Sequence, residues 1–247
     1  MTNSIQGLRV KIFADGADLA GILKLYSNPL IKGFTTNPTL MRKAGVEDYE
    51  VFARAVLAAV PDRPVSFEVF ADEPLEIVRQ AREIASWGEN VFVKIPVTTT
   101  DGASCARVVR LLSSEGVRLN VTALLTLDQV REVTDSLDPA TPAYVSVFAG
   151  RVADTGIDPV PLMREAVEIL SARPKAELIW ASPRELLNVF HADDVGCQII
   201  TVTNDILAKL ALVGKDLAAY SLETVAMFRS DALAAGYTIG ASARAAA

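Results

Sequence analysis

A single histidine, His191, and two widely separated cysteines, Cys105 and Cys197, leave little material for several kinds of chemistry. Zinc sites call for clustered Cys and His at short fixed spacings, and a hydrolytic triad built on imidazole would have one candidate only. Neither is supported, and both cysteines read as small buried hydrophobes. Positive charge is scarce as well: 24 Lys and Arg stand against 30 Asp and Glu, a formal net charge of -6. That balance excludes a broad nucleic-acid surface, although two local arginines suffice for a small anion. Hydrophobic residues make up 51% of the chain, yet charges recur every few residues, so no apolar run is long enough to span a bilayer. Residues 1–7 lack the apolar core of a secretion signal. These absences lead us to expect a soluble, cytoplasmic protein without nucleic-acid or membrane partners or a zinc site. Repeats, charge blocks and Pro/Gly linkers are also missing, so residues 1–247 are expected to form one domain.

What the sequence does contain is alternation. Eight short apolar, β-branched runs, at 8–14, 33–36, 65–70, 91–95, 118–121, 143–147, 177–180 and 198–202, are separated by segments of helical periodicity. Helices are expected at 46–60, 75–87, 102–114, 127–136, 159–170 and 183–191, with loops at 61–64 and 138–142 where prolines stop a helix ahead of a strand. Eight βα units in 247 residues point to an α/β fold, a closed (β/α)8 barrel. From about 205 onward the chain reads as further helix, with Ile206, Leu210 and Val213 on one face and a frayed end at 240–247.

In such a barrel the chemistry belongs to the C-terminal strand ends, and the polar residues gather there. Asp15 follows the first strand, Thr36 and Asn37 the second, Asn120 and Thr122 close the fifth, and Ser146 the sixth with Arg151 beyond it. Ser182 and Arg184 follow the seventh, while Glu68 and Lys94 are embedded in the apolar runs of the third and fourth. Lys94, in Val91-Phe92-Val93-Lys94-Ile95-Pro96-Val97, has no acidic neighbour within its run. Apolar surroundings disfavour the ammonium form, the condition an amine needs to attack a carbonyl; the alternative is a lysine that snorkels out or pairs with a carboxylate. Glu68 is expensive to bury unless paired or working, and serves either as that partner or as a proton shuttle. Asp15 is a catalytic candidate or the N-cap of the first helix, and Asn37-Pro38 a ligand or a helix start. Arg151 and Arg184 are surface arginines or, from their barrel position, an anion site helped by a helix N-terminus near Pro183.

Four motifs in order, Thr35-Thr36-Asn37-Pro38-Thr39, Val93-Lys94-Ile95-Pro96-Val97-Thr98, Asn120-Val121-Thr122-Ala123 and Ser146-Val147-Phe148-Ala149-Gly150-Arg151, resemble those of the transaldolases and their smaller fructose-6-phosphate aldolase relatives. The resemblance runs from Ile12-Phe13-Ala14-Asp15 to the eighth strand. It implies that Lys94 forms a Schiff base with a ketose phosphate, that Asp15 is the base towards the C4 hydroxyl, and that Glu68 and Thr122 hold a proton-shuttling water. It further implies that Asn37, Asn120 and Ser146 contact the dihydroxyacetone hydroxyls, that Arg151, Ser182 and Arg184 bind phosphate, that Thr36 and Phe148 belong with the substrate-binding residues, and that no metal or organic cofactor is needed because the lysine imine does the polarising. The expected activity is transfer of a three-carbon unit between sugar phosphates, as in the pentose phosphate pathway, by a homo-oligomer. The alternatives are an aldolase that releases dihydroxyacetone and a non-catalytic sugar-phosphate-binding barrel. In the resemblance the aldolase branch tends to carry Gln and Tyr where this chain has Glu68 and Phe148, and transferases carry Glu and Phe. Departures fall at Val147, where Pro is frequent, at Pro183, where Phe is common, and at Leu124-Leu125-Thr126 in place of an aromatic-and-serine ending.

Overall fold

The computed structural model describes residues 5–239, so the end at 240–247 lies outside the described residues. Eight parallel strands close into a barrel in sequence order: β1 (Lys11–Asp15), β2 (Ile31–Thr35), β3 (Val65–Glu68), β4 (Val91–Pro96), β5 (Leu119–Leu124), β6 (Ala143–Val147), β7 (Ala176–Trp180) and β8 (Ile199–Thr203), with β8 paired to β1. Connecting them are α1 (Leu19–Tyr26), α2 (Pro38–Lys43), α3 (Tyr49–Ala59), α4 (Pro74–Ala85), α5 (Ala106–Ser114), α6 (Leu127–Ser136), α7 (Ala149–Asp154), α8 (Pro159–Leu170) and α9 (Leu187–Asp194), followed by α10 (Asn204–Ala208) and α11 (Leu217–Ala234). The α/β barrel is thus as the alternation predicts, with strand ends displaced by up to three residues. Residues 6–210 form one compact unit and the described residues outside it a second.

The helices form because apolar side chains recur at three and four residues and need a sheet to cover them. In α4 the stripe is Ile77, Val78, Ala81 and Ile84, in α8 Met163, Ala166 and Leu170; each of the Ile, Val, Met and Leu side chains removed from water contributes about 1.5–3 kcal/mol. Side chains also fix the helix starts. Asp48, Asp158 and Thr126 accept from the first-turn amides of α3, α8 and α6, the last in a reciprocal capping box with Gln129. The helix expected at 183–191 instead begins at Leu187, because Asn188 Oδ1 accepts from the amides of Arg184 and Glu185 and holds that segment as a turn. Ser182 therefore does not sit at a helix N-terminus.

Inside the barrel, alternate residues of each strand point inward and sort into two layers. The lower layer is apolar: Phe92 and Tyr144 stack at 3.9 Å, Phe13 meets Tyr144 edge-on, and Ile179 and Ile199 close the cluster. Gly33 of β2 is required there, since a β-carbon would approach the Phe13 ring within 2.6 Å. Two residues further along the same strands come Lys94 after Phe92, Ser146 after Tyr144, Asp15 after Phe13 and Thr201 after Ile199. One strand register thus supplies both the packed floor and the polar ring above it.

Candidate active site

The polar ring encloses a cavity of about 400 Å³ at the C-terminal mouth of the barrel, bordered by Asp15, Asn37, Glu68, Lys94, Asn120, Thr122, Ser146, Phe148, Arg151 and Ser182. A larger hollow of about 730 Å³ lies at the N-terminal ends of β3 to β6, among Arg54, Trp87 and Arg118, and contains no lysine. Volume alone does not locate chemistry; the converging side chains do.

Lys94 lies at the bottom of the upper cavity, its side chain 8% exposed. Its Nζ donates to the Thr36 carbonyl at 2.9 Å and stands 3.2 Å from Glu68 Oε2. The pairing follows from register, because Glu68 and Lys94 are direct partners across β3 and β4. Both readings of Glu68 thus meet in one geometry: it neutralises the lysine and lies within proton-transfer distance of it. Thr122 Oγ1 is buried on the neighbouring strand without a hydrogen-bond partner among the described residues.

Asp15 does not cap the first helix; Asp18 does, by accepting from the Gly21 amide. Asp15 is instead gripped by its neighbours: Thr35 Oγ1 donates to Oδ1 at 2.8 Å and Asn37 Nδ2 approaches Oδ2 at 3.5 Å. Burial pushes the Asp15 carboxyl above the ordinary aspartate range, against the opposing pull of Lys94 and the Thr35 hydroxyl. A raised carboxylate is a stronger base, which suits proton abstraction from a hydroxyl. Asn37 does cap α2, its Oδ1 accepting from Leu40, so the helix start and the cavity contact are one residue's two ends.

Opposite, a chain of hydrogen bonds orients the Asn120 amide. Ser146 Oγ donates to Asn120 Oδ1 at 2.7 Å, and Asn120 Nδ2 donates to Ser66 Oγ at 3.0 Å. Ala123 adopts φ 67° where the β5 to β6 pairing shifts register, and Ser182 adopts φ 58°. Both line the cavity, and such left-handed non-glycine residues cost on the order of 1–3 kcal/mol each. Gly150 permits the Ser182 turn: a β-carbon there would fall 1.6 Å from the Ser182 carbonyl oxygen.

Two expected ligands sit elsewhere. Thr36 is buried with its hydroxyl on the Ser66 carbonyl, and it is Thr35 that borders the cavity, because β2 turns its odd-numbered residues inward. Arg184 does not border the cavity either. Its Nε and Nη2 grip both oxygens of Asp154 at 2.8 and 2.5 Å, while Nη1 donates to Ser182. Arg151 does border the cavity, with its guanidinium over the Phe148 ring at 5.7 Å and no ion pair among the described residues. Of the departures from the family pattern, Val147 and Pro183 are buried and outside the cavity lining. Residues not singled out from sequence are Ser66, Thr35 and Thr201. Because the Thr35 proton goes to Asp15, the 2.5 Å contact between Thr35 and Thr201 has Thr201 as donor. The signal for all three was their spacing, two residues from an inward neighbour.

Comparison with known proteins finds relatives of the sequence and of the fold. The sequence model of the family described as Transaldolase/Fructose-6-phosphate aldolase matches residues 12–239. A probable transaldolase of Dehalococcoides mccartyi is 37% identical over 202 residues, covering 81% of this chain and 90% of the relative. One from Methanococcus maripaludis is 36% identical over 202 residues, covering 81% and 89%. Among solved structures, a putative phosphonomutase from Burkholderia cenocepacia superposes with a TM-score of 0.56 at 10% identity over 90% of this chain and 94% of that one, a likeness of fold alone.

Proposed function

The chain belongs to the transaldolase/fructose-6-phosphate aldolase family, and from that premise we propose that it transfers a three-carbon dihydroxyacetone unit from a ketose phosphate to an aldose phosphate through a Schiff base on Lys94. The observation that carries the reading is a buried lysine at the foot of the cavity, held between a backbone carbonyl and the Glu68 carboxylate.

In the proposed cycle Lys94 Nζ attacks the C2 carbonyl, and the carbinolamine loses water as Glu68 and Thr122, through a water between them, move protons. The unpaired Thr122 hydroxyl supports that water. The resulting iminium draws electrons from the C3–C4 bond when Asp15 takes the C4 hydroxyl proton. An aldose phosphate leaves, and a three-carbon enamine remains on Lys94. The enamine then adds to the carbonyl of an acceptor aldehyde, Asp15 returns its proton to the new hydroxyl, and water hydrolyses the iminium. Asn37, Asn120 and Ser146 hold the donor's hydroxyls, and Arg151 with Ser182 holds phosphate. Arg184 acts through Ser182. Phe148 offers the enamine no proton donor, which supports transfer over release.

The natural setting under this reading is sugar-phosphate metabolism of the pentose phosphate type in the cytoplasm, without nucleic-acid partners. No helix among the described residues is long and apolar enough to cross a membrane. The proposed working form is a homo-oligomer: α11 buries none of its residues, and Leu217, Leu222, Val225, Phe228 and Leu233 stand exposed, more apolar surface than a lone soluble helix tolerates. A solution mass equal to one chain would refute that.

The deciding experiment is borohydride reduction in the presence of fructose 6-phosphate, followed by peptide mapping. A three-carbon adduct on the Lys94 peptide with loss of activity is expected. An adduct on another lysine, with Lys94 unmodified, overturns the assignment.

A further inference from the structure

The ladder between β2 and β3 is short, with two registered pairs. Phe34 pairs with Val65 and Thr35 with Ser66, and the Thr36 amide donates to the Ser66 carbonyl at 3.2 Å; there β2 ends, while β3 continues to Glu68. In an extended strand the N–H and C=O of one residue point to the same side, and successive residues alternate sides. Glu68 is therefore the next residue to face the seam that β2 has left, and both its backbone groups need partners. Tyr49, at the start of α3, supplies both. Its phenol oxygen accepts from the Glu68 amide at 2.7 Å and donates to the Glu68 carbonyl at 2.9 Å, standing in for the missing strand. The ring itself has little freedom, with Phe70, Trp87 and Phe67 centroids at 4.5, 5.5 and 6.1 Å. Two and three residues further, Gln80 Oε1 accepts from the amides of Phe70 and Ala71, so the chain leaving β3 is held at two points.

We propose that Tyr49 is a positioning residue for Glu68: its phenol fixes the backbone at residue 68, and thereby the 3.2 Å approach of the Glu68 carboxylate to Lys94. The proposal rests on the Schiff-base reading above. Tyr49 touches no reacting atom and does not border the cavity. Its effect falls on the proton transfers that make the imine, and substrate binding by residues across the barrel is left alone.

The test is Tyr49→Phe, which keeps the ring in its socket and removes only the hydroxyl. A misplacement of about 1 Å costs on the order of 10²-fold in rate, so imine formation, followed by quenched-flow borohydride trapping, is expected to slow by at least about ten-fold. KM for fructose 6-phosphate is expected to stay within about two-fold, with a cooperative thermal transition retained. A folded variant that forms the imine within about two-fold of the wild-type rate, or whose loss lies in KM alone, overturns the proposal. Amide hydrogen exchange at Glu68 in the wild-type protein decides the clamp even if the variant does not fold: slow exchange is expected, and exchange as fast as an exposed loop amide overturns it. Wild-type protein that traps no adduct at all defeats the Schiff-base reading instead, while slow Glu68 exchange in the same sample would still support the clamp.

Discussion

Replacing Lys94 by Met tests the chemistry and the packing together. The volume is nearly conserved, so the cost of the change is electrostatic: Glu68 keeps its carboxylate and loses the ammonium 3.2 Å away. Removing one member of a fully buried pair costs about 3–5 kcal/mol. Glu68 is not fully buried, its side chain remaining 19% exposed to the cavity, where water can take the place of the lysine. The expected loss is therefore nearer that of a charged group left without its partner at a wet site, about 1–3 kcal/mol. For a chain of this size each kcal/mol moves the transition by roughly 2–4 °C, so Tm is expected to fall by roughly 2–12 °C and the protein to stay folded. Adding Glu68→Gln should restore most of the loss, since it removes the stranded charge. Activity has no such rescue. Without the amine there is no covalent route, and turnover is expected to drop by at least about 10⁴-fold in both the single and the double variant. Thermal melts, coupled transfer assays and borohydride trapping on the same preparations supply the comparison. A single variant retaining a tenth of wild-type turnover, on the order of 1.4 kcal/mol in the barrier, would refute the nucleophile assignment. A double variant less stable than the single one would refute the electrostatic account of the pair.

Three further outcomes are expected. Because burial holds the Asp15 carboxyl above the usual aspartate range, it takes up its proton on acidification before an exposed aspartate does, and turnover should fall on an acidic limb that Asp15→Asn abolishes along with activity. By the same linkage the folded state binds that proton more tightly than the unfolded state, so the charged form costs stability at neutral pH. Asp15→Asn should then melt higher than wild type at pH 7, with the difference shrinking as pH falls through the raised value; a difference independent of pH counts against this. Arg151→Ala should raise KM for phosphorylated sugars by roughly 10- to 100-fold, the worth of a charge-assisted hydrogen bond, and leave unphosphorylated substrates unaffected. Arg184→Ala should act more weakly, through Ser182, and an equal loss in both variants would argue against the division seen in the Asp154 ion pair. Phe148→Tyr should shift the balance from transfer towards release of dihydroxyacetone when fructose 6-phosphate is supplied without erythrose 4-phosphate. No shift would remove Phe148 from the account of transfer.

Local patterns carried much of this molecule. Eight apolar runs separated by helical stripes announce a barrel because burial of a parallel sheet requires that alternation and a strand's apolar run is read within five residues. Lys94 and Glu68 were conspicuous for the same reason: an ionisable residue inside such a run is an exception to it. Which face a residue takes is a different matter, because it depends on pairing with a strand far away in sequence. β2 presents Thr35 to the cavity and Thr36 to Ser66, a parity set by register against β1 and β3 that the repeated threonine conceals. Arg184 spends its charge on Asp154, 30 residues earlier, so a motif match at Arg184 does not reveal that its guanidinium is already occupied. Tyr49 reads in sequence as one more residue at the start of an amphipathic helix, and its clamp on Glu68 exists only because β2 stops short where β3 does not. Periodicity and side-chain chemistry act over a few residues and are written in the chain directly; register, strand ends and ion-pair partners are long-range outcomes, decided only when the barrel closes.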